Sequence, residues 1–272
     1  MNLALVMALS LLQGITEFLP ISSSGHLRIA HYFFGEHEAS TAQDVILHLA
    51  TLLSVFWVFR GELVALLKPT GGNAEQSETP GFIRTATLVV VGTIPAGVAG
   101  VFGGDSIESL TSHLNYVGYA YLGNAGILWV AHTAGKRAAS RDLHQMTVAH
   151  AFFIGLAQSV AIIRGISRSG STITAALCLG YSASSAALFS FLLAIPAIGG
   201  AAFLQLLPIL RGQASYASTF QADPLELFLT FVLTFFIGIG ALRVLLVSAK
   251  KSLWWPYAIY SILLGFIAIF MG

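Results

Sequence analysis

The chain has 272 residues, of which 9% are charged and 56% are hydrophobic, and its mean hydropathy is +0.80. Soluble domains carry roughly 25% charged residues, so this composition excludes an ordinary soluble protein and predicts a membrane protein. The net charge of +1 gives no reason to expect nucleic acid as a partner. The single cysteine, Cys178, excludes an internal disulfide, and its apolar surroundings predict a small core residue.

The first segment, residues 1–35, is apolar but is broken in the middle by polar residues. After the break, the apolar stretch His26–Phe34 has nine residues. As a helix it would measure about 13 Å, too short to cross a hydrocarbon core of about 30 Å. Residues 149–182 show the same arrangement. Both segments are therefore predicted to be re-entrant helical hairpins, whose polar turns must be buried by protein or water.

The remaining apolar segments are long enough to cross a bilayer, which takes about 20 residues. They predict about six transmembrane helices, near residues 45–67, 83–102, 116–133, 185–207, 226–247 and 255–271. With the two hairpins, the predicted fold class is an all-α polytopic membrane protein.

The polar breaks of the two hairpins match each other without a gap, 145 positions apart. Residues 13–26 read Q-G-I-T-E-F-L-P-I-S-S-S-G-H, and residues 158–171 read Q-S-V-A-I-I-R-G-I-S-R-S-G-S. The match predicts a duplication within a single membrane domain. Its repeats span approximately residues 1–133 and 149–272, joined by a cytoplasmic loop at 134–148.

The distribution of basic residues predicts the orientation. Loops 68–84, 134–148 and 249–253 contain seven Lys or Arg residues, whereas the opposite loops, 103–115 and 208–225, contain only Arg211. By the positive-inside rule, the first set is cytoplasmic and both termini lie outside. The hairpins then enter from opposite sides, as in inverted-repeat membrane folds, and their polar turns should meet inside the bundle.

Three charged residues, Glu17, Arg164 and Arg168, lie in apolar surroundings. A charged side chain at a helix centre costs about 2.5–3.5 kcal/mol on insertion scales, so these residues should compensate one another. A purely structural Glu–Arg pair is the simplest interpretation. The many hydroxyl groups in both turns favour an anion site instead, because guanidinium, hydroxyl and helix N-terminal N–H groups together suit phosphate.

Four residues are the candidate catalytic residues: Glu17, Ser23, His26 and Arg168. Glu17 could act as general base, orient His26 or hold a cation, and either Ser23 or His26 could be the nucleophile or its activator. His48 is expected to have a structural role. The predicted substrate-binding residues are Gln13, Ser22, Ser24, Gly25, Ser167, Ser169, Gly170, Ser171 and Thr172.

Three motifs, at residues 13–26, 165–173 and 190–196, closely resemble those of the bacterial undecaprenyl-diphosphate phosphatases, the bacitracin-resistance family. The resemblance covers nearly the whole chain. It implies interlocked inverted repeats with re-entrant hairpins in the bacterial inner membrane. It also implies hydrolysis of undecaprenyl diphosphate to undecaprenyl phosphate and inorganic phosphate, which recycles the lipid carrier for peptidoglycan synthesis and confers bacitracin resistance.

The sequence departs from the family pattern at two positions. The first acidic position, which can be Glu or Gln in the family, is Gln13, and the usual Pro-Gly before the arginine motif is Arg164-Gly165. A divalent cation, Mg or Ca, is the implied cofactor. Glu17 is its candidate ligand, although the second carboxylate is absent.

The expected partners are the polyprenyl diphosphate substrate and membrane lipids, with homodimerisation left open. The main alternative function is a transporter or flippase of a phosphorylated polyprenyl lipid, because broken helices that meet at the midplane are typical of transporters.

Overall fold

A computed structural model of the chain describes residues 3–34, 41–67, 81–111, 113–137, 141–211 and 223–272. Within these ranges the chain forms eleven α-helices and a 3-10 turn at Leu143–Gln145, which confirms the all-α class. The helices are α1 (Leu3–Thr16), α2 (Ser23–Phe34), α3 (Thr41–Val58), α4 (Arg60–Leu67), α5 (Phe82–Thr111), α6 (Leu114–Gly135), α7 (Val148–Val160), α8 (Arg168–Cys178), α9 (Ala183–Leu210), α10 (Pro224–Lys250) and α11 (Trp255–Met271).

Three helices among the described residues are long and apolar enough to cross a membrane. These segments, Phe82–Gly104, Ala183–Leu204 and Pro224–Lys250, coincide with three of the predicted spans. The predicted spans at 116–133 and 255–271 fall on α6 and α11. The chain is therefore a multi-pass membrane protein, and the total of six spans stays a prediction.

The predicted span at 45–67 is divided into two helices. The axes of α3 and α4 meet at 70°. Beyond the bend, Arg60 and Glu62 are exposed, and the Arg60 guanidinium lies 4.9 Å from the ring centroid of Trp57 and donates a hydrogen bond to its carbonyl oxygen. The bend thus turns a short charged segment to the surface, where a straight apolar helix had been expected.

Both predicted hairpins form. Helix α1 packs against α2 across the turn at residues 17–22, and α7 packs against α8 across the turn at residues 161–167. Helices α2 and α8 have 12 and 11 residues, so at about 1.5 Å per residue neither can cross a bilayer. Cys178 ends α8 and is exposed, so the expected core position was wrong: Ile173, Ala176 and Leu177 form the buried face of this helix.

Long helices from each half of the chain pack against the hairpin of the other half. Helix α5, from the first half of the chain, packs against α7 of the second hairpin, whereas α10, from the second half, packs against α1 of the first. Helices α6 and α11, the last of each half, pack along each other. This exchange ties the two halves of the chain together. It holds both polar turns against α6.

Small residues permit the closest of these helix contacts. Gly155 of α7 lies directly on the backbone of Gly92 of α5, so that a Cβ atom at position 155 would collide with the Gly92 carbonyl oxygen. Gly118 of α6 and Gly265 of α11 make a similar contact, because a Cβ at position 118 would lie 2.7 Å from the Gly265 oxygen. In a bilayer, small residues at helix interfaces let backbones approach and gain van der Waals contact.

We therefore expect Gly155→Ala to destabilise the protein by about 1–3 kcal/mol, the usual cost of overpacking. The matched control is Gly240→Ala in α10, where a Cβ would meet no atom within 4 Å. That change should be neutral or stabilising by up to about 1 kcal/mol, because Ala is the better helix former. Unfolding in detergent, followed by circular dichroism, compares the two variants. Equal stabilities of the two variants would show that the close contact between α5 and α7 does not contribute to the stability of the protein.

Candidate active site

The two polar turns share one hydrogen bond between a serine hydroxyl and a glycine N–H. Ser167 caps the N-terminus of α8, and its Oγ accepts a hydrogen bond from the Gly170 N–H at 3.1 Å. In the first turn, Ser22 Oγ accepts from the Gly25 N–H at 3.4 Å. Serine at these positions satisfies a free N–H group of the helix start. The aligned serines thus make the same hydrogen bond from different backbone conformations, because Ser167 is extended with a φ of −82° whereas Ser22 has a φ of +65°.

The turns also contact each other, as the sequence predicted. The Gly165 N–H donates to Ser22 Oγ at 3.1 Å, and Ser169 Oγ donates to the Phe18 carbonyl oxygen at 3.0 Å. Gly165 has a φ of +109°, and a Cβ there would lie 2.7 Å from the Ala120 Cβ. Only glycine combines this backbone conformation with so close an approach to α6.

The Glu17 carboxylate connects the turns electrostatically. Its Oε1 accepts from Arg168 Nη2 at 2.8 Å, and its Oε2 accepts from Ser23 Oγ at 2.7 Å and from Gln13 Nε2 at 3.1 Å. The Arg168 and Glu17 side chains are 17% and 8% exposed. The ion pair is thus largely buried, where charge–charge interactions are screened less than in water.

A cavity of about 200 Å³ opens beside this ion pair. The N-terminal ends of α2, which begins at Ser23, and α8, which begins at Arg168, both border it. Helix N-termini carry partial positive charge and attract anions. The lining residues are Thr16, Glu17, Ser22, Ser23, Ser24, His48, Ala161, Ile166, Ser167, Arg168, Ala197, Ile198 and Ala201.

Arg168 retains hydrogen-bonding capacity in this cavity. Its Nη2 binds Glu17, but its Nη1 is buried and has no hydrogen-bond partner among the described residues. A guanidinium presents its donors in a planar fork that matches phosphate oxygens. With the two helix starts, this guanidinium provides the cavity with donors for a phosphate group, whereas the Ser23 hydroxyl already donates to Glu17.

His26 lies away from this cavity. Its Nδ1 is 2.8 Å from both the Ser22 carbonyl oxygen and the Tyr121 hydroxyl, and its Nε2 is 2.7 Å from the Tyr260 hydroxyl. The ring lines a separate groove between α1 and α11. The expectation that Glu17 orients His26 is therefore wrong, because Glu17 bonds to Ser23, Gln13 and Arg168 instead.

Several residues that were predicted to bind substrate form hydrogen bonds within the protein instead. Thr172 Oγ1 donates to the Arg168 carbonyl oxygen at 2.9 Å and lies 2.6 Å from Ser190 Oγ, while Ser171 Oγ donates to the Ser167 carbonyl oxygen at 2.9 Å. The cavity-lining set includes Ser22, Ser24 and Ser167 but leaves out seven predicted site residues. These are Gln13, Gly25, His26, Ser169, Gly170, Ser171 and Thr172.

Asn124 is a central residue that sequence reasoning missed. From α6, its Nδ2 donates to the Pro20 carbonyl oxygen at 2.9 Å and to Ser261 Oγ at 3.1 Å, while its Oδ1 accepts from the Ser167 N–H at 2.9 Å. A single buried amide thus holds both turns. A lone asparagine in an apolar span was a usable signal, because polar residues in such spans are costly to retain.

His48 also lies on the cavity, although a structural role was expected for it. It lines the cavity from α3, and in its protonated form it would interact electrostatically with the Glu17 carboxylate. Its position within a predicted apolar span was the same kind of signal. By contrast, the cavity-lining set does not include Arg164, the charged departure from the family pattern.

The residues present do not fit a cation held by the protein alone. Both Glu17 oxygens already accept hydrogen bonds, one of them from a guanidinium. No group of three or more His, Cys, Asp or Glu side chains with metal-binding geometry occurs in the described parts of the chain. Divalent cations such as Mg²⁺ prefer several oxygen ligands, and here the second turn supplies a positive charge instead.

The fold and the cavity define a class: a multi-pass membrane protein with a polar cavity between two broken helices. The chain matches the model of the family described as bacitracin resistance protein BacA over residues 6–267, and it belongs to that family. It is 37% identical to the undecaprenyl-diphosphatase of Desulforapulum autotrophicum, over 97% of this chain and 96% of that protein.

Two further relatives support the assignment. The undecaprenyl-diphosphatase of Alcanivorax borkumensis is 43% identical over 76% of this chain and 77% of its own length. Undecaprenyl-diphosphatase 2 of Stutzerimonas stutzeri is 36% identical, over 97% of this chain and 96% of its own length.

We expect Asn124→Ala to destabilise the protein by about 2 kcal/mol or more, because buried partners in both turns lose their hydrogen bonds. Asn115→Ala, in the first turn of the same helix, is the matched control: its Oδ1 only accepts from an exposed backbone N–H. That change should stay within about 0.5 kcal/mol. Unfolding in detergent provides the measurement. Similar losses for both variants would mean that Asn124 does not hold the turns together.

Proposed function

We propose that this chain hydrolyses undecaprenyl diphosphate to undecaprenyl phosphate and inorganic phosphate. The observation that carries the proposal is the set of contacts at Glu17, whose carboxylate accepts a hydrogen bond from Ser23 Oγ at 2.7 Å and pairs with Arg168 at 2.8 Å. A hydroxyl hydrogen-bonded to a carboxylate is the pairing of a nucleophile with its base. The identity of the substrate is inferred from the names of the relatives.

The reaction that fits these contacts begins at Ser23. Its Oγ attacks the terminal phosphorus, and its proton passes to Glu17 Oε2. The bond from that phosphorus to the bridging oxygen breaks, and undecaprenyl phosphate leaves. Water then attacks the phosphoserine, the phosphorus–Oγ bond breaks and inorganic phosphate is released, while Glu17 returns the proton to Ser23.

Arg168 has an electrostatic role in this scheme. Phosphoryl transfer depends on positioning and on stabilising charge as it moves between oxygens. The free Nη1 group and the N-terminal ends of α2 and α8 surround the place where that charge lies. His26 is then a positioning residue, since both of its ring nitrogens are engaged behind the first turn.

The enzyme would lie in the bacterial inner membrane with both termini outside, recycle the lipid carrier for peptidoglycan synthesis and confer resistance to bacitracin. The two halves, approximately residues 1–133 and 149–272, would form inverted repeats around the site. Their reciprocal contacts support this arrangement, since α5 packs on α7 and α10 on α1.

Phosphate release from purified protein tests the proposal. Farnesyl and undecaprenyl diphosphates are supplied with and without a chelator, and inorganic phosphate is measured. Hydrolysis without added metal is expected, and its loss in chelator would show that a cation accompanies the substrate. Absence of phosphate release from folded protein would contradict the proposal and favour the transporter alternative, which no observation supports better.

We expect Ser23→Ala to lower turnover at least about a thousandfold, as removal of a nucleophile does in other enzymes. Glu17→Gln should cost at least about a hundredfold, the scale of acid–base catalysis. Ser159→Ala is the matched control, because its hydroxyl donates only to the Leu156 carbonyl oxygen of its own helix. If His26→Ala were inactive while Ser23→Ala retained turnover, the nucleophile would be wrongly assigned.

Single cysteines test the orientation. In a Cys178→Ala background, we expect His113→Cys to react with a membrane-impermeant maleimide in intact cells. Lys251→Cys should react only after the membrane is opened. Both positions are exposed and lie outside the site, and the basic residues favour the side of Lys251 as cytoplasmic. The reverse labelling pattern would invert the proposed topology.

A further inference from the structure

A second cavity meets the candidate active site at Arg168. It has a volume of about 410 Å³ and is lined by α5, α7 and α9. Arg168 lines both this groove and the polar cavity, as do Ala161, Ala197 and Ala201. The groove is otherwise almost entirely apolar. At its far end Val101 and Leu204 are 75% and 61% exposed, so it opens on the lipid-facing surface.

Gln158 of α7 is buried in this groove. It is 3% exposed, and neither its Nε2 nor its Oε1 has a hydrogen-bond partner among the described residues. Buried amides in folded proteins are almost always hydrogen-bonded, so an orphaned one calls for an unseen partner. Arg168 Nη1, also buried and without a partner in the described chain, lines the same groove.

Gln13, the residue of the first hairpin that aligns with Gln158, has a hydrogen-bond partner within the protein. Gln13 Nε2 donates to Glu17 Oε2 at 3.1 Å, and so supports the base within the protein. Gln158 makes no hydrogen bond to a carboxylate in the described parts of the chain. The duplication thus supplied two glutamines at equivalent positions, of which the second is left to interact with a ligand.

We propose that Gln158 is a positioning residue that donates a hydrogen bond to the phosphate retained on the lipid, while the prenyl chain occupies the groove between α5, α7 and α9. This inference rests on the proposed function. The terminal phosphate would lie in the polar cavity beside Ser23, and Arg168 would contact both phosphates from the junction. The bond that breaks then lies at the boundary between the polar cavity and the apolar groove.

This arrangement gives the enzyme a means of choosing its substrate. Inorganic diphosphate could fill the polar cavity but would leave the groove empty. A prenyl monophosphate, the product, would keep the Gln158 contact and the groove contacts. Gln158 therefore determines affinity for the lipid-linked phosphate and leaves the attack on the terminal phosphorus to Ser23.

The test is Gln158→Met, which keeps the length and volume of the side chain and removes the amide. We expect KM for farnesyl diphosphate to rise, and Kd for farnesyl monophosphate to weaken, by about tenfold to a hundredfold, the worth of a hydrogen bond to a charged group. The value of kcat should change by less than about threefold, because a contact made equally before and during reaction affects binding alone. Inhibition by inorganic phosphate should be unchanged.

Thr87→Val, on α5 but outside the groove, is the matched control. Its hydroxyl donates to the Ile83 carbonyl oxygen of its own helix at 2.9 Å, so its loss should leave KM and Kd within about twofold, as expected for a group already satisfied by its own backbone. Gln158→Glu keeps the shape but repels phosphate, so it should bind farnesyl monophosphate more weakly than the wild type. This second variant decides the question if Gln158→Met fails to fold.

The outcomes separate this inference from the proposed function. Normal farnesyl monophosphate binding by both Gln158 variants would overturn the inference even if the wild type hydrolyses the diphosphate. Weakened inorganic phosphate inhibition in Gln158→Met would also overturn it, because Gln158 would then contact the released phosphate. Binding that depends on Gln158 in a wild type that releases no phosphate would support the inference and refute the proposed hydrolysis.

Discussion

The ion pair between Arg168 and Glu17, 2.8 Å apart, is the interaction on which the site depends. Each charge alone in an apolar bundle would be strongly destabilising, and a buried pair broken on one side typically costs about 3–5 kcal/mol. The two hairpins must therefore meet. Once they do, the starts of α2 and α8 face one cavity, and the charges that hold the turns together also line the proposed reaction site.

Both side chains of the ion pair keep atoms that can take part in a reaction. Glu17 receives the Ser23 hydroxyl on its second oxygen, and Arg168 keeps a terminal nitrogen that no described residue engages. Asn124 fixes the backbones of both turns from behind, so these side chains need not move to meet a phosphate. Preorganised donors of this kind act on developing charge without a cost of reorganisation during reaction. The placement of Arg168 between a polar and an apolar cavity suits a lipid whose charge is confined to one end.

The two hairpins show how aligned sequence segments can differ in role. In both hairpins the serine hydroxyl accepts a hydrogen bond from the glycine N–H, although Ser22 has a positive φ and Ser167 is extended. The residues around them have diverged: Glu17 lies in the first turn and Arg168 in the second, and the glutamines at 13 and 158 face different surroundings. Because the helix start needs its cap in either copy, the capping residues are constrained, whereas the outward-facing positions are free to specialise.

The sequence by itself determined the membrane class, the two hairpins and the meeting of Glu17 with Arg168. These follow from composition, from the length of the apolar segments and from the cost of isolated charge in a bilayer. Only the tertiary structure decided which hydroxyls reach the cavity. Ser23 faces Glu17 and His26 faces Tyr260, although they are three residues apart on one helix, because α2 packs with one side against α6. The roles of Asn124 and His48 likewise depend on the rotation of α6 and α3 about their axes, and helices that are apolar on all sides carry no periodic signal that fixes this rotation.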